Sequence, residues 1–167
     1  TQKSILFSHL DMAVFFRYNS CVCKVFPKQE TDLHIMKKRI EGMFFDEEST
    51  MPHMDHCEVV DCIFAGSSSE SVSLNASHDM LLDNCTFFQS SVLWNCVQWK
   101  LNDSRIEENA HAALWYCEEG KITDTDILGP KALWAGKNLI IHGCTIDCAE
   151  FGWLCNRISI ADTKLTS

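Results

Sequence analysis

Residues 113–127 have the sequence ALWYCEEGKITDTDI, and the second half of this stretch recurs along the chain. In GKITDTDI, Gly120 and Ile122 occupy two alternate positions that are apolar in most of the other copies. Polar residues, the small residue Thr125, one spacer and the large apolar Ile127 follow. The same order occurs in CEVVDCIF, MLLDNCTF, WKLNDSRI, LIIHGCTI and ISIADTKL, which end at Phe64, Phe87, Ile106, Ile146 and Leu165. The small residue lies at Cys62, Cys85, Ser104, Thr125, Cys144 and Thr163, at steps of 23, 19, 21, 19 and 19 residues.

This repeat predicts an all-β fold made of stacked coils. Alternation of apolar with other residues, as at Ile158 and Ile160, is typical of a strand with one buried face. Each short segment is bounded by Asn, Asp, Gly or Ser, which are common in turns. A unit of about 20 residues cannot bury its apolar face alone. The units are therefore expected to stack, with each strand paired to the equivalent strand of the next unit. The pattern therefore indicates a parallel β-helix of about six coils of 19–23 residues. The framework of a leucine-rich repeat is absent, and a propeller blade needs about 40 residues.

Stacking predicts interior ladders of equivalent residues. One ladder contains Leu82, Leu101, Ile122, Ile141 and Ile160. Another contains Phe64, Phe87, Ile106, Ile127, Ile146 and Leu165. A third contains Met80, Trp99, Gly120, Leu139 and Ile158.

A resemblance to a known family is carried by the segments LLDNCTF, NLIIHGCTI, ALWYC and GWLCN, and by FFDEES before the first coil. The chain resembles a bacterial family, domain of unknown function 3737. The resemblance covers about residues 36–167. It implies a right-handed, single-stranded parallel β-helix of the pectin-lyase-like kind. It implies no activity and no catalytic residues.

The chain divides into two parts. Residues 1–35 show no repeat and form an N-terminal extension whose structure the sequence does not predict, and residues 36–167 form the β-helix domain. Phe44 and Phe45 are expected to plug the first coil. The last coil stops directly after its third strand, so we expect a C-terminally truncated domain, or an open coil that docks on something or self-associates.

Composition limits the partners. The net charge of −9 argues against nucleic acid and anionic membranes, which need a basic surface. No apolar run is long enough to span a bilayer, and no signal peptide is evident. Ten cysteines without an export signal favour thiols in a reducing cytoplasm. We expect no cofactor, and a carbohydrate or a protein as partner.

Most of the notable residues follow the phase of the repeat. Cys96, Cys117 and Cys155 share one phase and are predicted to be small core residues. Asp61, Asp103, Asp124 and Asp162 share a turn position with Asn84 and Gly143, which indicates a left-handed turn rather than an acid pair. The cluster His53, His56 and Cys57 offers soft zinc ligands as an alternative to no metal site, although its spacing matches no standard finger.

A less regular set of polar residues lies in the loops before the tryptophan segments. Such loops gather on one face of a repeat fold, often the binding face. Candidates for catalysis in these loops are Glu107, Glu108, Asp147 and Glu150. Candidates for ligand binding are Glu70, His111 and Lys131 in the loops, with Glu118 and Glu119 in a turn after Trp115. The other interpretation of these charged residues is a solvated edge.

Trp94, Trp115, Trp134 and Trp153 also share a phase. Trp115 is two residues from Cys117, so a strand would place both on one face, and inward cysteines favour inward tryptophans. In the alternative, Leu93, Leu114 and Leu133 fill the core and the tryptophans form an exposed ladder for sugar rings.

The sequence thus favours a non-catalytic binding or scaffold module. The alternative is a carbohydrate-active enzyme, with a glycoside hydrolase favoured over a polysaccharide lyase. Hydrolysis needs two carboxyl groups, which the loops supply. A lyase must stabilise developing negative charge, which the acidic loops oppose.

Overall fold

The computed structural model describes residues 14–18, 21–25, 37–46, 53–66 and 72–166, which contain strands and turns. The first two strands, β1 (Val14–Tyr18) and β2 (Cys21–Val25), pair antiparallel with each other. The next nine are β3 (Lys38–Glu41), β4 (Phe44–Phe45), β5 (Asp55–Val60), β6 (Ile63–Phe64), β7 (Val72–Ser73), β8 (His78–Asp83), β9 (Thr86–Phe87), β10 (Ser91–Val92) and β11 (Val97–Asn102). The last ten are β12 (Arg105–Ile106), β13 (Ala112–Ala113), β14 (Glu118–Thr123), β15 (Asp126–Ile127), β16 (Lys131–Ala132), β17 (Lys137–His142), β18 (Thr145–Asp147), β19 (Glu150–Phe151), β20 (Asn156–Ala161) and β21 (Lys164–Thr166).

Strands β3 to β21 form three parallel sheets that wind into a β-solenoid of about six turns. The long sheet has the order β20, β17, β14, β11, β8, β5, β3. The second sheet has the order β21, β18, β15, β12, β9, β6, β4, and the third has the order β19, β16, β13, β10, β7. The predicted all-β parallel coil architecture is confirmed, and its right-handed winding stays a prediction. Among the described residues, no helical segment has the length and apolarity that a bilayer crossing requires.

The register confirms the predicted interior ladders. Leu101 pairs with Leu82 on one side and with Ile122 on the other, and Ile141 continues the column. All of these side chains are fully buried. In the second sheet the Phe64 ring stacks on Phe45 and on Phe87 with centroid distances of 4.8 Å, which is the spacing of adjacent strands.

The two ends of the solenoid differ in how well the core is covered. At the N-terminal end Phe45 is buried and stacks on Phe64, as expected of a plug, whereas Phe44 is 56% exposed and the prediction for it is wrong. In the last coil, ladder residues Ile160 and Leu165 are exposed. Self-association through this coil stays a prediction.

Every full coil has four backbone positions with positive φ. In one coil they are Leu114 (61°), Tyr116 (58°), Glu119 (53°) and Asp124 (49°), and their equivalents in the neighbouring coils share the conformation. The last position is the predicted turn of Asp, Asn and Gly, which is confirmed, since short polar side chains and glycine tolerate this region best. The Glu119 position bends β14 near its start, as a β-bulge does.

One interior ladder places a large residue next to a small one along the axis. Trp99 is 1% exposed and packs in the space above Gly120, its partner in the next strand of the long sheet. A Cβ atom at position 120 would overlap the indole ring of Trp99. The two residues therefore fit only as a large and small pair.

This pair yields a stability prediction. Gly120→Ala is expected to lower the free energy of unfolding by about 1–3 kcal/mol, the usual range for overpacking a core. Urea denaturation followed by circular dichroism measures the change. Adding Trp99→Leu to Gly120→Ala removes the overlap and serves as the control, so the double variant should lose less than the sum of the two single losses. Additive losses would contradict a direct clash between these residues.

Candidate functional site

The tryptophan segments form the outer corner between the third and the long sheets. Leu93, Leu114 and Leu133 are fully buried. Trp94, Trp115 and Trp134 are half-buried, and Trp153 is 55% exposed. The predicted interior position of the tryptophans is therefore wrong, and the leucines fill the core instead.

The error has a backbone cause. The prediction treated Trp115 and Cys117 as members of one extended strand, in which residues two apart share a face. However, both neighbours of Trp115 have positive φ, 61° at Leu114 and 58° at Tyr116. This double left-handed turn breaks the alternation, so Leu114 and Cys117 point inward while Trp115 points outward.

The outward tryptophans stack on one another along the solenoid. Ring centroids are 5.3 Å apart for Trp94 and Trp115, 5.6 Å for Trp115 and Trp134, and 5.9 Å for Trp134 and Trp153. Tyr116 adds a ring 5.7 Å from Trp94. The Trp134 and Trp153 rings are stacked with an interplanar angle of 6°, whereas the other two pairs are tilted by 43° and 34°. Each tryptophan ring therefore packs against the ring of the next coil, which gives the ladder a structural role.

The cysteine ladders have structural contacts. The thiols of Cys117 and Cys155 donate hydrogen bonds of 2.8 Å to the carbonyls of Leu93 and Leu133 in the preceding coils. Burial raises the pKa of Cys57 to about 12 and that of Cys148 to about 11. Burial, reinforced by Cys96, also raises the pKa of Cys117. For Cys57, Cys117 and Cys148, a raised pKa and low exposure are the opposite of what a nucleophilic thiol needs.

The second small-residue ladder is an internal hydrogen-bond chain. Ser104 donates its hydroxyl to the carbonyl of Asn102 at 2.6 Å and accepts a bond from the amide of Cys85 at 3.0 Å. Thr125 repeats this arrangement one coil further on, with the carbonyl of Thr123 and the amide of Ser104. Serine, threonine and cysteine alternate here because each is small and can donate to the same carbonyl.

The three candidate zinc ligands are not gathered into a site. Cys57 faces the core and is fully buried, whereas His53 is exposed. His56 lies outside, where its Nδ1 is 2.8 Å from Oδ2 of Asp79. That hydrogen bond, with a second from Lys37, lowers the pKa of Asp79. Within the described ranges, no group of three or more His, Cys, Asp or Glu side chains could hold a metal ion.

The candidate catalytic carboxylates are dispersed, and two of them are paired with cations. Glu107 accepts a 2.6 Å bond from Nε of Arg105, whose Nη1 also contacts Asp126. Glu150 lies 3.1 Å from Nζ of Lys131 in the third sheet. Glu108 and Asp147 are exposed.

These carboxylates fall in two coils, with Glu107 and Glu108 after β12 and with Asp147 and Glu150 after β17. Ile106 and Ile146, which precede Glu107 and Asp147, belong to one ladder with Ile127 between them. Glu107 and Asp147 are therefore two coils apart, about 10 Å along the axis at ~4.8 Å per coil. His111 is exposed, and Glu70 lies outside the described residues.

Glu118 and Glu119 are the first two residues of β14 in the long sheet, and the strand bends at Glu119. Glu118 forms a 2.6 Å ion pair with Nζ of Lys137 in the next strand. Glu119 has φ of 53° and is exposed, and in the described part of the chain no ion pair or hydrogen bond engages its carboxylate. It belongs to a column of left-handed residues with Gln98 and Asn138.

This column borders an open groove of about 770 Å³ on the outer face of the long sheet. The lining residues extend from Lys37 and Glu58 at one end to Ile140 at the other, and in between they include Gln98, Lys100, Glu119, Lys121 and Asn138. At the first end, Glu58 is bound by Arg39, and Asp79 is bound by Lys37 and His56. In the middle, the amides of Gln98 and Asn138 have no side-chain hydrogen bond to any described residue.

Sequence reasoning missed this groove, although the repeat contained its signal. Lys100 and Lys121 are direct partners in β11 and β14, and both side chains are exposed. Their separation equals the local repeat length, so the alignment that stacks Leu101 on Ile122 also stacks one lysine on the other. Attention to apolar and acidic residues left this basic pair unnoticed.

Comparison with known proteins places the chain in a family without giving it an activity. A family model described as "Protein of unknown function (DUF3737)" matches residues 38–167, so the chain belongs to that family, as its repeated words indicated. Neither the curated proteins nor the solved structures contain a match.

The structural role of the cysteines predicts their reactivity. In native protein treated with iodoacetamide at pH 8, Cys57, Cys85 and Cys117 should stay unmodified, because they are buried with raised pKa values. Cys155 is only half-buried and should react first among the thiols of residues 53–166. Peptide mass spectrometry measures the order, and urea-unfolded protein, in which all of them react, is the control. Rapid native labelling of Cys117 would contradict its place in the core.

Proposed function

We propose that this DUF3737 protein is a non-catalytic binding module whose groove on the long sheet takes a carbohydrate chain. The observation that carries the proposal is the run of polar side chains in the middle of that groove, which make no side-chain hydrogen bond or ion pair within the described structure. Gln98, Lys100, Lys121 and Asn138 are the members of this run. Exposed donors and acceptors without a structural partner are available to a ligand.

The geometry favours an extended ligand over a compact one. Equivalent side chains recur at about 4.8 Å along the solenoid axis, since each coil adds one strand to the sheet. The groove crosses the strands from β5 to β17, so it is elongated along that axis. A linear polymer with hydroxyl groups at regular intervals can bond to several coils at once, whereas a small molecule would contact one or two.

The loop carboxylates give the glycoside hydrolase alternative little support. A hydrolase needs two carboxyl groups about 5–10 Å apart on either side of the scissile bond. Glu107 and Glu150 each form an ion pair, with Arg105 and Lys131, so both carboxylates are already engaged within the chain. A scaffold for a protein partner fits the same groove less well, because its centre is polar and charged rather than apolar.

Substitution of the groove amides provides the test. Asn138→Ala and Gln98→Ala should each weaken carbohydrate binding about fivefold, the loss that corresponds to about 1 kcal/mol for one hydrogen bond. A glycan array identifies the preferred oligosaccharide, and isothermal titration calorimetry then measures the affinities.

Asn95→Ala is the matched control. Asn95 and Asn138 are exposed and have φ of 57° and 55°, so both substitutions place alanine in the same strained backbone, but Asn95 lies outside the groove. Equal losses in both variants, or no bound glycan on the array, would contradict binding in the groove. Release of reducing sugar by the intact protein, abolished by Glu107→Gln, would support the enzyme instead.

A further inference from the structure

We infer that the groove selects an acidic polysaccharide, and that one carboxylate or sulfate group of the polymer is held between Lys100 and Lys121. The inference rests on the proposed function of the groove and names the class of its ligand. Both lysines line the groove near its centre. They stand directly opposite each other on the neighbouring strands β11 and β14.

The first argument is that the lysine pair by itself lowers the stability of the sheet. Like charges directly opposite on adjacent strands destabilise a sheet. At other positions of the long sheet, opposite charges face each other: Lys137 pairs with Glu118, and Arg39 pairs with Glu58 and Glu41. Within the described residues, Lys100 and Lys121 have no such partner. An anion from outside the chain would supply the missing charge.

The second argument is the isolation of the pair in an acidic protein. The chain carries a net charge of −9, so two adjacent cations without counter-charges run against the general trend. The nearest groove carboxylates do not neutralise them, because Glu58 and Asp79 bind other cations and Glu119 forms no ion pair with either lysine. Glu119 instead adds repulsion at one side of the groove, which limits where an anionic group can sit.

Geometry indicates that the two ammonium groups share one anionic group. Their strands are about 4.8 Å apart, and flexible four-carbon side chains let both amines reach the separate oxygens of a single carboxylate or sulfate. Gln98 and Asn138 on the same face can donate to neighbouring hydroxyls of the polymer. A nucleic acid is a poorer fit, because its phosphates demand many cations and this face offers two.

Affinity electrophoresis and titration calorimetry with three polymers test the inference. The probes are alginate, which carries carboxylates, dextran sulfate, which carries sulfates, and neutral dextran. Native protein should bind alginate or dextran sulfate at least tenfold more tightly than dextran. Lys100→Ala and Lys121→Ala should each weaken that binding about fivefold, the scale of one exposed charged contact. Whichever acidic polymer binds more tightly identifies the anionic group.

A double variant and a remote control distinguish the site from general charge attraction. Because the two lysines hold one group, Lys100→Ala with Lys121→Ala should lose less than the product of the single effects. Lys164→Ala removes the same charge from the exposed face of the second sheet and should leave the affinity unchanged. A loss equal to that of the groove variants, or tighter binding of oligothymidylate than of either polymer, would overturn the inference.

The outcome for dextran separates the two proposals. Tight binding of dextran that depends on Asn138 but not on either lysine would support the carbohydrate groove and overturn its acidic selectivity. Failure of all three polymers to bind would overturn both. In the ligand-free protein, Lys121→Gln should raise the thermal midpoint, since it removes the repulsion between like charges, and an unchanged or lowered midpoint would contradict the first argument.

Discussion

Parallel pairing of each strand with its equivalent in the next coil is the constraint on which the whole structure depends. It makes every side chain the neighbour of a residue about 20 positions away, so like stacks on like at the spacing of a strand. Phe64 illustrates this, with rings of Phe45 and Phe87 at 4.8 Å on either side. One coil has too little apolar surface to be stable, and the stack supplies what each coil lacks.

The same constraint explains why so many residues adopt left-handed backbone. A coil of about 20 residues must turn several times to close, and the corners lie at the same place in each coil because the strands between them are in register. Asp124 and Gly143 are well suited to such corners, but Leu114 and Glu119 are not, and their conformation costs about 1 kcal/mol or more each. For Leu114, burial of the side chain and hydrogen bonds of the backbone offset that cost. The side chain is fully buried, and the amide donates to the carbonyl of Val92.

Most of the fold followed from sequence because its signal is repeated. A single alternation, as at Thr125 and Ile127, is ambiguous, but six copies at nearly constant spacing fix the strand phase, the ladders and the turn position. The orientation of Trp115 could not be obtained in this way. Alternation relates side-chain direction to sequence only while the backbone stays extended, and no residue in the word ALWYC indicates that Leu114 and Tyr116 leave the extended region. Leucine rarely adopts positive φ, so the residue types of this segment predicted an extended strand and not the turn that is present.

The candidate site shows the opposite relation between sequence and structure. Repetition gives a residue a structural role when the equivalent residues in neighbouring coils have the same chemistry and stabilise the stack. Cys117 and Asp124 are structural residues for this reason. Lys100 and Lys121 also repeat, yet their repetition brings like charges together and gives the sheet no stability. A repeated residue that costs stability needs a cause outside the stack. In a solenoid, therefore, function is best sought where the ladder places unfavourable neighbours side by side, and on this molecule that condition is met at the centre of the groove on the long sheet.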